Sequence, residues 1–394
     1  AVTGRMIRTV GATETVARVT ADEVPVGPDG DTWQRRLAPR IEATQVQRVL
    51  AETESHGMRV LIPGDADWPT GLEVLGDHAP VALWTIGDVG LLTGPVWDRV
   101  TVTGARASTG YGAHVASELV QSAVADSRLV LSGGAYGIDG AAHRSALASG
   151  GATVAVLTGG LDRPYPAGHT DLLTHVGKDG LLLSELPTGA APTKWRFLQR
   201  SRLLAALSGT VIIVEAGYRS GTLHTAARAI ELGRPVGAVP GPLTSAASTG
   251  CHRLLRDGLG SIITGYDDVR ELLHGVRDGA HRAVRERAGL EVGPLDRDSG
   301  GRRPPAGGAG VGGARRRGGR CCDGGGAPAV QAARAGLLFA TCQEASRVRI
   351  TRPSSAARSR ATTDKHSAMA VRTSCPVPPH RIIRARHATR TRRE

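Results

Sequence analysis

The sequence predicts an α/β fold in which a parallel sheet carries helices on both faces. From about residue 80 onwards, short runs rich in Val, Ile and Leu recur, and each run ends in a loop that contains glycine. Several of these loops lead into alanine-rich helices, for example in residues 111–125 and 222–233. Continuous apolar strands that alternate with such helices are typical of a parallel sheet covered on both sides.

The chain divides into three parts by composition. In residues 1–60, apolar residues recur at three- and four-residue steps in patches, so a small N-terminal helical region is expected. Residues 61–275 alternate strands and helices and predict an extended Rossmann-like domain. Its apolar runs lie in residues 81–88, 99–112, 127–140, 152–166, 180–189, 209–222 and 234–242. Residues 276–394 form a linker and a low-complexity basic tail without helical or strand periodicity.

The positive charge of the chain is concentrated in that tail. Of 49 Lys and Arg and 36 Asp and Glu, residues 296–394 hold 21 and 6, which leaves 28 basic and 30 acidic side chains in residues 1–295. Anion binding by the main body must therefore come from a local patch rather than from the overall field. Two interpretations of the tail stay open: a disordered nucleic-acid-binding segment, or a GC-rich gene read out of frame.

Cysteine usage and hydropathy indicate a cytoplasmic protein. Four of the five cysteines lie in the tail, which leaves Cys251 alone in the body and argues against a disulfide scaffold. No apolar run reaches about 18 residues, and residues 1–30 contain no hydrophobic signal core. We therefore expect neither a membrane span nor secretion.

Three glycine-containing turns are expected to meet at one edge of the sheet, because the strand-end loops of a doubly wound sheet share one rim. They are residues 104–108, 133–137 and 220–222. Helix N termini attract phosphate through unpaired N–H groups and the helix dipole. Turn geometry alone explains a single glycine. Three such turns, accompanied by Arg106, Arg163 and Arg219, favour a rim that binds phosphate.

The second of these turns does not match the fingerprints of nucleotide-binding sites. Ser132-Gly133-Gly134 is followed by Gly137, which departs from the G-x-G-x-x-G spacing, and no acidic residue closes the next strand. The chain also contains no G-x-x-x-x-G-K-[ST] sequence. We therefore expect no nucleotide cofactor, and a nucleic-acid backbone suits the rim better.

Half of the twelve aromatic residues fall in strand-end loops or in the segment TKWRFLQRSRLL. These are Tyr111, Tyr136, Tyr165, Trp195, Phe197 and Tyr218. Aromatic side chains interleaved with arginines suit the stacking of unpaired bases beside a track of phosphates. Trp195 and Phe197 have a simpler alternative role, in which they anchor their helix on the sheet.

Catalytic chemistry has little support. His143 is expected to cap or pack, and Asp139 can cap the helix that it opens. Cys251 and His252 are adjacent and would point apart on a helix, so they make a poor nucleophile–base pair. Glu185 and Glu215 follow strands, where they could face a ligand or bind loop amides. No metal-ligand spacing is present, and we expect no catalytic residue and no metal.

Eight blocks occur in order in residues 61–270: VTGARASTGYG, LSGGAYGIDGAAH, GGLDRPYPAGH, LLSELP, RFLQRSRLLAALS, VEAGYRSGTLHTA, AVPGP and GCHRLLRDG. Together they closely resemble the DNA-processing protein A (DprA, also called Smf) family in its actinobacterial form. The resemblance implies an extended Rossmann fold that binds single-stranded DNA as a homodimer and catalyses no reaction. It also implies protection of incoming strands and loading of the RecA recombinase in natural transformation.

The family motifs map onto this sequence residue by residue. The G-S-R block corresponds to residues 104–106, the S-G-x-A-x-G-I-D block to residues 132–139, and the F-x-x-R-N-R block to residues 197–202. In the last block Ser201 stands in place of the family's asparagine, so the amide of that side chain is missing. No winged-helix domain, which many relatives carry, is recognisable after about residue 295. The nucleic-acid-binding residues predicted are Gly104, Arg106, Tyr111, Ser132, Gly133, Gly134, Gly137, Asp139, Arg163, Tyr165, Phe197, Arg200, Arg202, Ser220 and Gly221.

Two other functions stay open. A phosphoribohydrolase of the lysine-decarboxylase-like (LOG) group uses a P-G-G-x-G-T-x-x-E motif, but here Glu215 precedes the glycine and Thr225 stands where the acid is needed. Alternatively, the basic tail alone could bind nucleic acid without specificity. Deletion of residues 296–394 separates that possibility from a site on the rim.

Overall fold

The computed structural model describes residues 2–21 and 28–277. The basic tail predicted from the sequence lies outside the described residues, except for its first two positions. Four helices precede the sheet: α1 (Val2–Val10), α2 (Ala12–Thr20), α3 (Pro28–Leu37) and α4 (Ala43–Ser55). Val19, Trp33 and Leu37 form the buried centre of the first three helices. Helix α4 packs separately, with Val49 among the apolar residues beside the sheet.

Nine strands form one sheet within the described residues. They are β1 (Arg59–Leu61), β2 (Leu83–Gly87), β3 (Arg99–Thr103), β4 (Leu129–Ser132), β5 (Thr153–Val156), β6 (Leu181–Ser184), β7 (Thr210–Ile213), β8 (Val236–Ala238) and β9 (Ser261–Ile262). Their order across the sheet is β1-β2-β6-β5-β4-β3-β7-β8-β9. From β6 to β9 every pair of neighbours is parallel.

Strands β1 and β2 depart from the parallel sheet predicted from the sequence. β2 pairs antiparallel with both β1 and β6, and Gly87 at its end lies opposite Leu181 at the start of β6. Residues 88–98 therefore run along the amino edge of the sheet and lead directly into β3, without a crossover helix. A parallel connection would need such a helix.

Seven helices cover the two faces. They are α5 (Gly110–Ala125), α6 (Ile138–Ala148), α7 (Thr170–Asp179), α8 (Lys194–Leu207), α9 (Thr222–Glu231), α10 (Thr249–Arg256) and α11 (Tyr266–Arg277). Val100 and Val102 of β3 pack on the face that carries α5, α6 and α11. Thr101 between them points to the opposite face, where its hydroxyl donates to the carbonyl of Leu204 in α8. This alternation places helices on both faces and confirms the predicted fold class.

The topological switch point lies between β3 and β7. The chain proceeds outward from β3 through β4 and β5 to β6, and then returns to place β7 on the other side of β3. In open α/β sheets, ligands bind outside the carboxyl ends of the strands at such a point. We call the strand-end loops there the carboxyl rim; it comprises residues 104–109, 133–137, 157–169, 185–193, 214–221 and 239–248.

Glycine is needed where two of these loops approach each other. Gly137 has φ of +74°, and a side chain there would overlap the carbonyl oxygens of Ala105 and Arg106. The β4–α6 turn can therefore lie directly against the β3–α5 turn, because Gly137 presents only backbone. The loop that carries Arg106 depends on this contact for its position.

Candidate nucleic-acid interface

Phe197 of α8 lies beside the carboxyl rim, with two arginine guanidiniums near its ring. The guanidinium carbons of Arg106 and Arg200 lie 4.3 and 5.4 Å from the centroid of the Phe197 ring. The ring of Tyr165 meets it edge-on, with centroids 6.2 Å apart. The contacts of Arg106 and Arg200 with the Phe197 ring are cation–π contacts, which hold a guanidinium over an aromatic face. We call Arg106, Tyr165, Phe197 and Arg200 the arginine–aromatic cluster.

A small depression opens beside the cluster. Its volume is about 20 Å³, and it is lined by four of the cluster's neighbours as well as by Arg106, Tyr165 and Phe197. The neighbours are Gly133, Ala135, Tyr136 and Pro166. Tyr136 and Tyr165 expose 46% and 44% of their surface, so both rings have free faces. Free aromatic faces next to a guanidinium are suited to stacking bases and contacting phosphates of a single strand.

Helix α8 sets the direction of Phe197 and Arg200. Thr193 caps the helix by accepting a hydrogen bond from the Arg196 N–H at 3.4 Å. Residues 203–207 of the same helix are buried against the sheet. Phe197 and Arg200 are three residues apart and therefore share one face of the helix, near the rim. The buried apolar residues at the C-terminal end of α8, rather than Phe197 or Trp195, make most of the contact with the sheet.

Arg200 holds the β4–α6 turn in place through hydrogen bonds to backbone carbonyls. Its guanidinium donates to the carbonyl oxygens of Gly133, at 2.5 Å, and Val156, at 3.4 Å. A Cβ on Gly133 would overlap that guanidinium. Burial lowers the pKa of Arg200, although an arginine stays charged at neutral pH. Arg200 thus places positive charge beneath the cluster while it holds the loop in position.

Arg106, Arg163 and Arg202 have different surroundings. Arg106 is exposed and has no ion-pair partner among the described residues. Arg163 exposes 92% of its side chain and lies 3.9 Å from Asp162. Arg202 is mostly buried, pairs with Glu185 at 2.9 Å and donates to the carbonyl of His78. The predicted arginine track therefore divides into exposed cations and one internally neutralised side chain.

The residues of the S-G-x-A-x-G-I-D block mainly shape the turn. Asp139 is buried and accepts hydrogen bonds from the Thr103 hydroxyl at 2.7 Å and from the Ala135 N–H at 3.3 Å. Ser132 donates its hydroxyl to the carbonyl of Val102. Gly134 takes φ of +69°. These bonds fix the backbone, and Tyr136 is the side chain of the block that projects into solvent.

The crevice at the switch point is filled by the protein's own carboxylate. Glu215 is buried and accepts from both the N–H, at 2.9 Å, and the hydroxyl of Thr109 at the start of α5. A Cβ on Gly112 would overlap this carboxylate. Glu215 thus satisfies the positive end of the α5 dipole, where a phosphate was one expectation. Of its two predicted roles, Glu215 takes the binding of a loop amide.

Three predicted residues lie away from the cluster. The Tyr111 hydroxyl donates to the carbonyl of Pro240 at 2.7 Å, on the β8 side of the rim. Ser220 accepts from the Thr222 N–H at 3.3 Å, and Gly221 stands just before α9. The Thr222 hydroxyl in turn donates to the carbonyl of Gly104 at 2.9 Å. This loop therefore adjoins the Arg106 loop without entering the cluster.

Tyr136 and the buried His169 lie beside the cluster, although neither is among the predicted nucleic-acid-binding residues. Tyr136 occupies a variable position of its block, and its ring meets the His169 ring edge-on with centroids 4.8 Å apart. His169 Nδ1 lies 3.1 Å from the carbonyl of Gly134. In the sequence, Tyr136 is marked as an aromatic residue in a strand-end loop, and His169 ends the block GGLDRPYPAGH.

His143 and Cys251 are buried and contact other groups of the fold. Burial lowers the pKa of His143 to about 4, and its Nδ1 lies 2.9 Å from the Thr153 hydroxyl. Burial raises the pKa of the Cys251 thiol to about 12. In the described part of the chain, no group of three or more His, Cys, Asp or Glu residues is placed to hold a metal ion. None of the helices described there could cross a membrane.

Comparison with known proteins identifies the family. A family model described as DNA recombination-mediator protein A matches residues 59–274. A putative DNA processing protein DprA from Mycobacterium tuberculosis is 42% identical over 298 residues, which cover 73% of this chain and 75% of the relative. The resemblance seen in the eight sequence blocks is confirmed.

Two solved structures are similar to this chain. The X-ray structure of DNA processing protein A from Streptococcus pneumoniae has 39% identity and a TM-score of 0.51, and it covers 54% of this chain and 73% of its own. DNA processing protein A from Helicobacter pylori, whose structure concerns its single-stranded DNA binding mode, has 29% identity, a TM-score of 0.50 and coverages of 56% and 96%. From its sequence blocks, its fold and these matches, the chain belongs to the DNA recombination-mediator protein A family.

Proposed function

We propose that this protein binds single-stranded DNA along the carboxyl rim and does not change it chemically. The observation that carries the proposal is the arginine–aromatic cluster, where Arg106 and Arg200 contact the ring of Phe197 at the edge where doubly wound sheets bind ligands. A single strand offers both groups that this cluster suits, because its phosphates are anionic and its bases are free to stack.

The cluster contacts the strand without reading its sequence. Arg106 and Arg163 are exposed and hold phosphates, while Phe197 and the free faces of Tyr136 and Tyr165 stack bases. Every base has a π-face, so little sequence preference is expected. Because each neutralised phosphate releases counterions, affinity falls as salt rises.

The finer biological role rests on the family. Its model is described as a recombination mediator, and the Helicobacter pylori relative binds single-stranded DNA. We therefore propose that this protein protects incoming single strands and delivers them to a RecA-type recombinase during DNA uptake, acting as a homodimer in the cytoplasm. The proposed domains are the N-terminal helices, the DNA-binding sheet of residues 61–275 and the basic tail.

The salt dependence of binding tests the role of Arg106. For Arg106→Ala, we expect weaker binding of a labelled oligo-dT and a slope of log K against log salt that is smaller by about 0.7, one phosphate on a single strand. Fluorescence anisotropy over a salt series measures both quantities. Arg35→Ala, which removes an exposed arginine from α3, is the control for net charge. A slope that stays the same in Arg106→Ala would refute the assignment.

The rival phosphoribohydrolase finds no favourable geometry in the described residues. Its candidate acid, Glu215, is buried and bound to Thr109. Incubation with nucleoside monophosphates should therefore release no free base, and release by the purified protein would favour the enzyme instead.

A further inference from the structure

We infer that a bound strand continues across the switch point onto a second platform made by Tyr218, Arg219 and Arg253. This inference rests on the proposed function and extends the DNA-binding surface beyond the arginine–aromatic cluster. It assigns a role to exposed side chains of the β7–α9 loop and of α10.

The second platform repeats the chemistry of the cluster. The guanidinium carbon of Arg253 lies 5.7 Å from the centroid of the Tyr218 ring, as Arg106 lies over Phe197. Tyr218 exposes 62% of its surface, more than Tyr111, Tyr136 or Tyr165. Most of the surface of Tyr218 is therefore not used in packing the fold. An exposed ring with a cation at one face leaves the other face for a base.

The two surfaces are held together by hydrogen bonds. The Thr222 hydroxyl donates to the carbonyl of Gly104, which joins the loop of Tyr218 to the loop of Arg106. Glu215, three residues before Tyr218, accepts from the Thr109 N–H. Helix α10 is fastened to the same loop, because the Gly250 N–H donates to the carbonyl of Ala216 at 2.7 Å. Both surfaces therefore belong to one fixed rim.

The second platform also carries positive charge. Arg219 is exposed and has no ion-pair partner within the described residues. Arg253 and Arg256 share Asp257, at 3.4 and 3.1 Å, so this trio keeps one net positive charge. Such a patch supplies the local attraction that the slightly acidic body of the chain does not provide. Arg219 then meets a phosphate, while Tyr218 stacks the adjoining base.

A second platform makes binding depend on the length of the strand. A short oligonucleotide is expected to occupy the cluster alone, whereas a longer one reaches Tyr218 as well. Loss of the second platform should therefore weaken the binding of long oligonucleotides but not that of short ones. Loss of a cluster residue, as in Arg106→Ala, should weaken the binding of oligonucleotides of every length.

The experiment measures affinity against length with the full chain. Oligo-dT strands from about 4 to about 30 nucleotides are titrated by fluorescence anisotropy at one low salt concentration. For Tyr218→Ala, we expect wild-type affinity for the shortest strands that bind, and about 5- to 150-fold weaker binding of the longest, the range for loss of one stacked base. Arg219→Ala should show the same pattern, and Tyr218→Trp should retain wild-type binding at every length.

Controls separate this inference from the proposed function. Trp97→Ala removes a partly exposed aromatic from the opposite, amino edge of the sheet. It should leave the affinity for oligonucleotides of every length unchanged. If Tyr218→Ala binds every length as the wild type does, or weakens all lengths equally, the second platform is refuted while the cluster stands. If the wild-type protein binds no oligonucleotide, the proposed function and this inference both fail.

Discussion

Phe197 supports two guanidiniums and still has part of its ring exposed. The side chain is half-buried, with the guanidiniums of Arg106 and Arg200 near its ring and the ring of Tyr165 at 74° to it. Removing the ring would take away a stacking surface and also release Arg106 from its position. A single residue thus couples the recognition of bases to the recognition of phosphates.

Replacement of Phe197 should therefore have a large effect on binding. For Phe197→Ala, we expect a loss of about 1–3 kcal/mol in the free energy of oligo-dT binding, because base–aromatic stacking is of that size. Trp195→Ala is the matched control, since Trp195 lies two residues away on α8, is 47% exposed and lies outside the cluster. Anisotropy titrations compare the two. Equal losses in both variants would count against the cluster.

His143 predicts how stability depends on pH. Burial lowers its pKa from 6.5 to about 4 in the folded protein, so between these values the unfolded chain binds a proton that the folded chain does not. Stability therefore falls as pH falls through this window, by about 2 kcal/mol at about pH 5. Urea unfolding near pH 7 and pH 5 measures the change. His143→Gln should show a smaller pH dependence, and an identical dependence would exclude His143 as its source.

The sequence predicts the members of the cluster better than the roles of the other charged residues. Arg106, Phe197 and Arg200 come together because the loops and the helix that carry them share the carboxyl rim. Arg202 belongs to the same motif as Phe197 and Arg200, but its side chain pairs with Glu185. Glu215 likewise bonds to Thr109, a residue 106 positions earlier in the chain. Such pairings depend on side-chain directions across the fold, which linear spacing does not determine.

The β4–α6 turn shows how an element positions the site. Gly137→Ala should lower the free energy of unfolding by more than 1 kcal/mol and weaken DNA binding, because the added Cβ overlaps the carbonyls of Ala105 and Arg106. Gly150→Ala is the matched control: its φ of +72° is similar, but nothing lies within 4 Å of its added Cβ. It should cost about 1 kcal/mol and leave binding intact. Urea unfolding and anisotropy distinguish the two, and equal binding by both variants would contradict this role of the turn.

Among the elements, the parallel strands β3 to β8 are the ones that the sequence predicts well. Each of them is a buried apolar run that leads into a loop and, for most, a helix. Strand β2 has the same apolar character, since Leu83 and Trp84 are buried, yet it runs antiparallel. Its direction is set by the connection through residues 88–98. Strand β9 has two exposed residues, so no burial pattern marks it in the sequence.

At the scale of the whole molecule, the main body should bind DNA without its basic tail. Residues 1–295 carry a net charge of −2, but the exposed arginines of the rim form a local positive surface. For the fragment 1–295, we expect oligo-dT binding to persist at low ionic strength, with a smaller salt slope than that of the full chain if the tail adds contacts. Parallel anisotropy titrations make the comparison. Complete loss of binding in a folded fragment would move the activity to the tail.

The Glu215 carboxylate in the crevice between β3 and β7 affects whether small nucleotides can compete for this place in a cell. Doubly wound sheets commonly take up a mononucleotide or dinucleotide at this place, but here Glu215 and Thr109 already satisfy each other. A metabolite such as ATP or NAD therefore finds this position at the start of α5 already taken by a carboxylate. A strand on the proposed interface makes many small contacts at once, which a lone nucleotide does not, so we expect little competition from the metabolite pool.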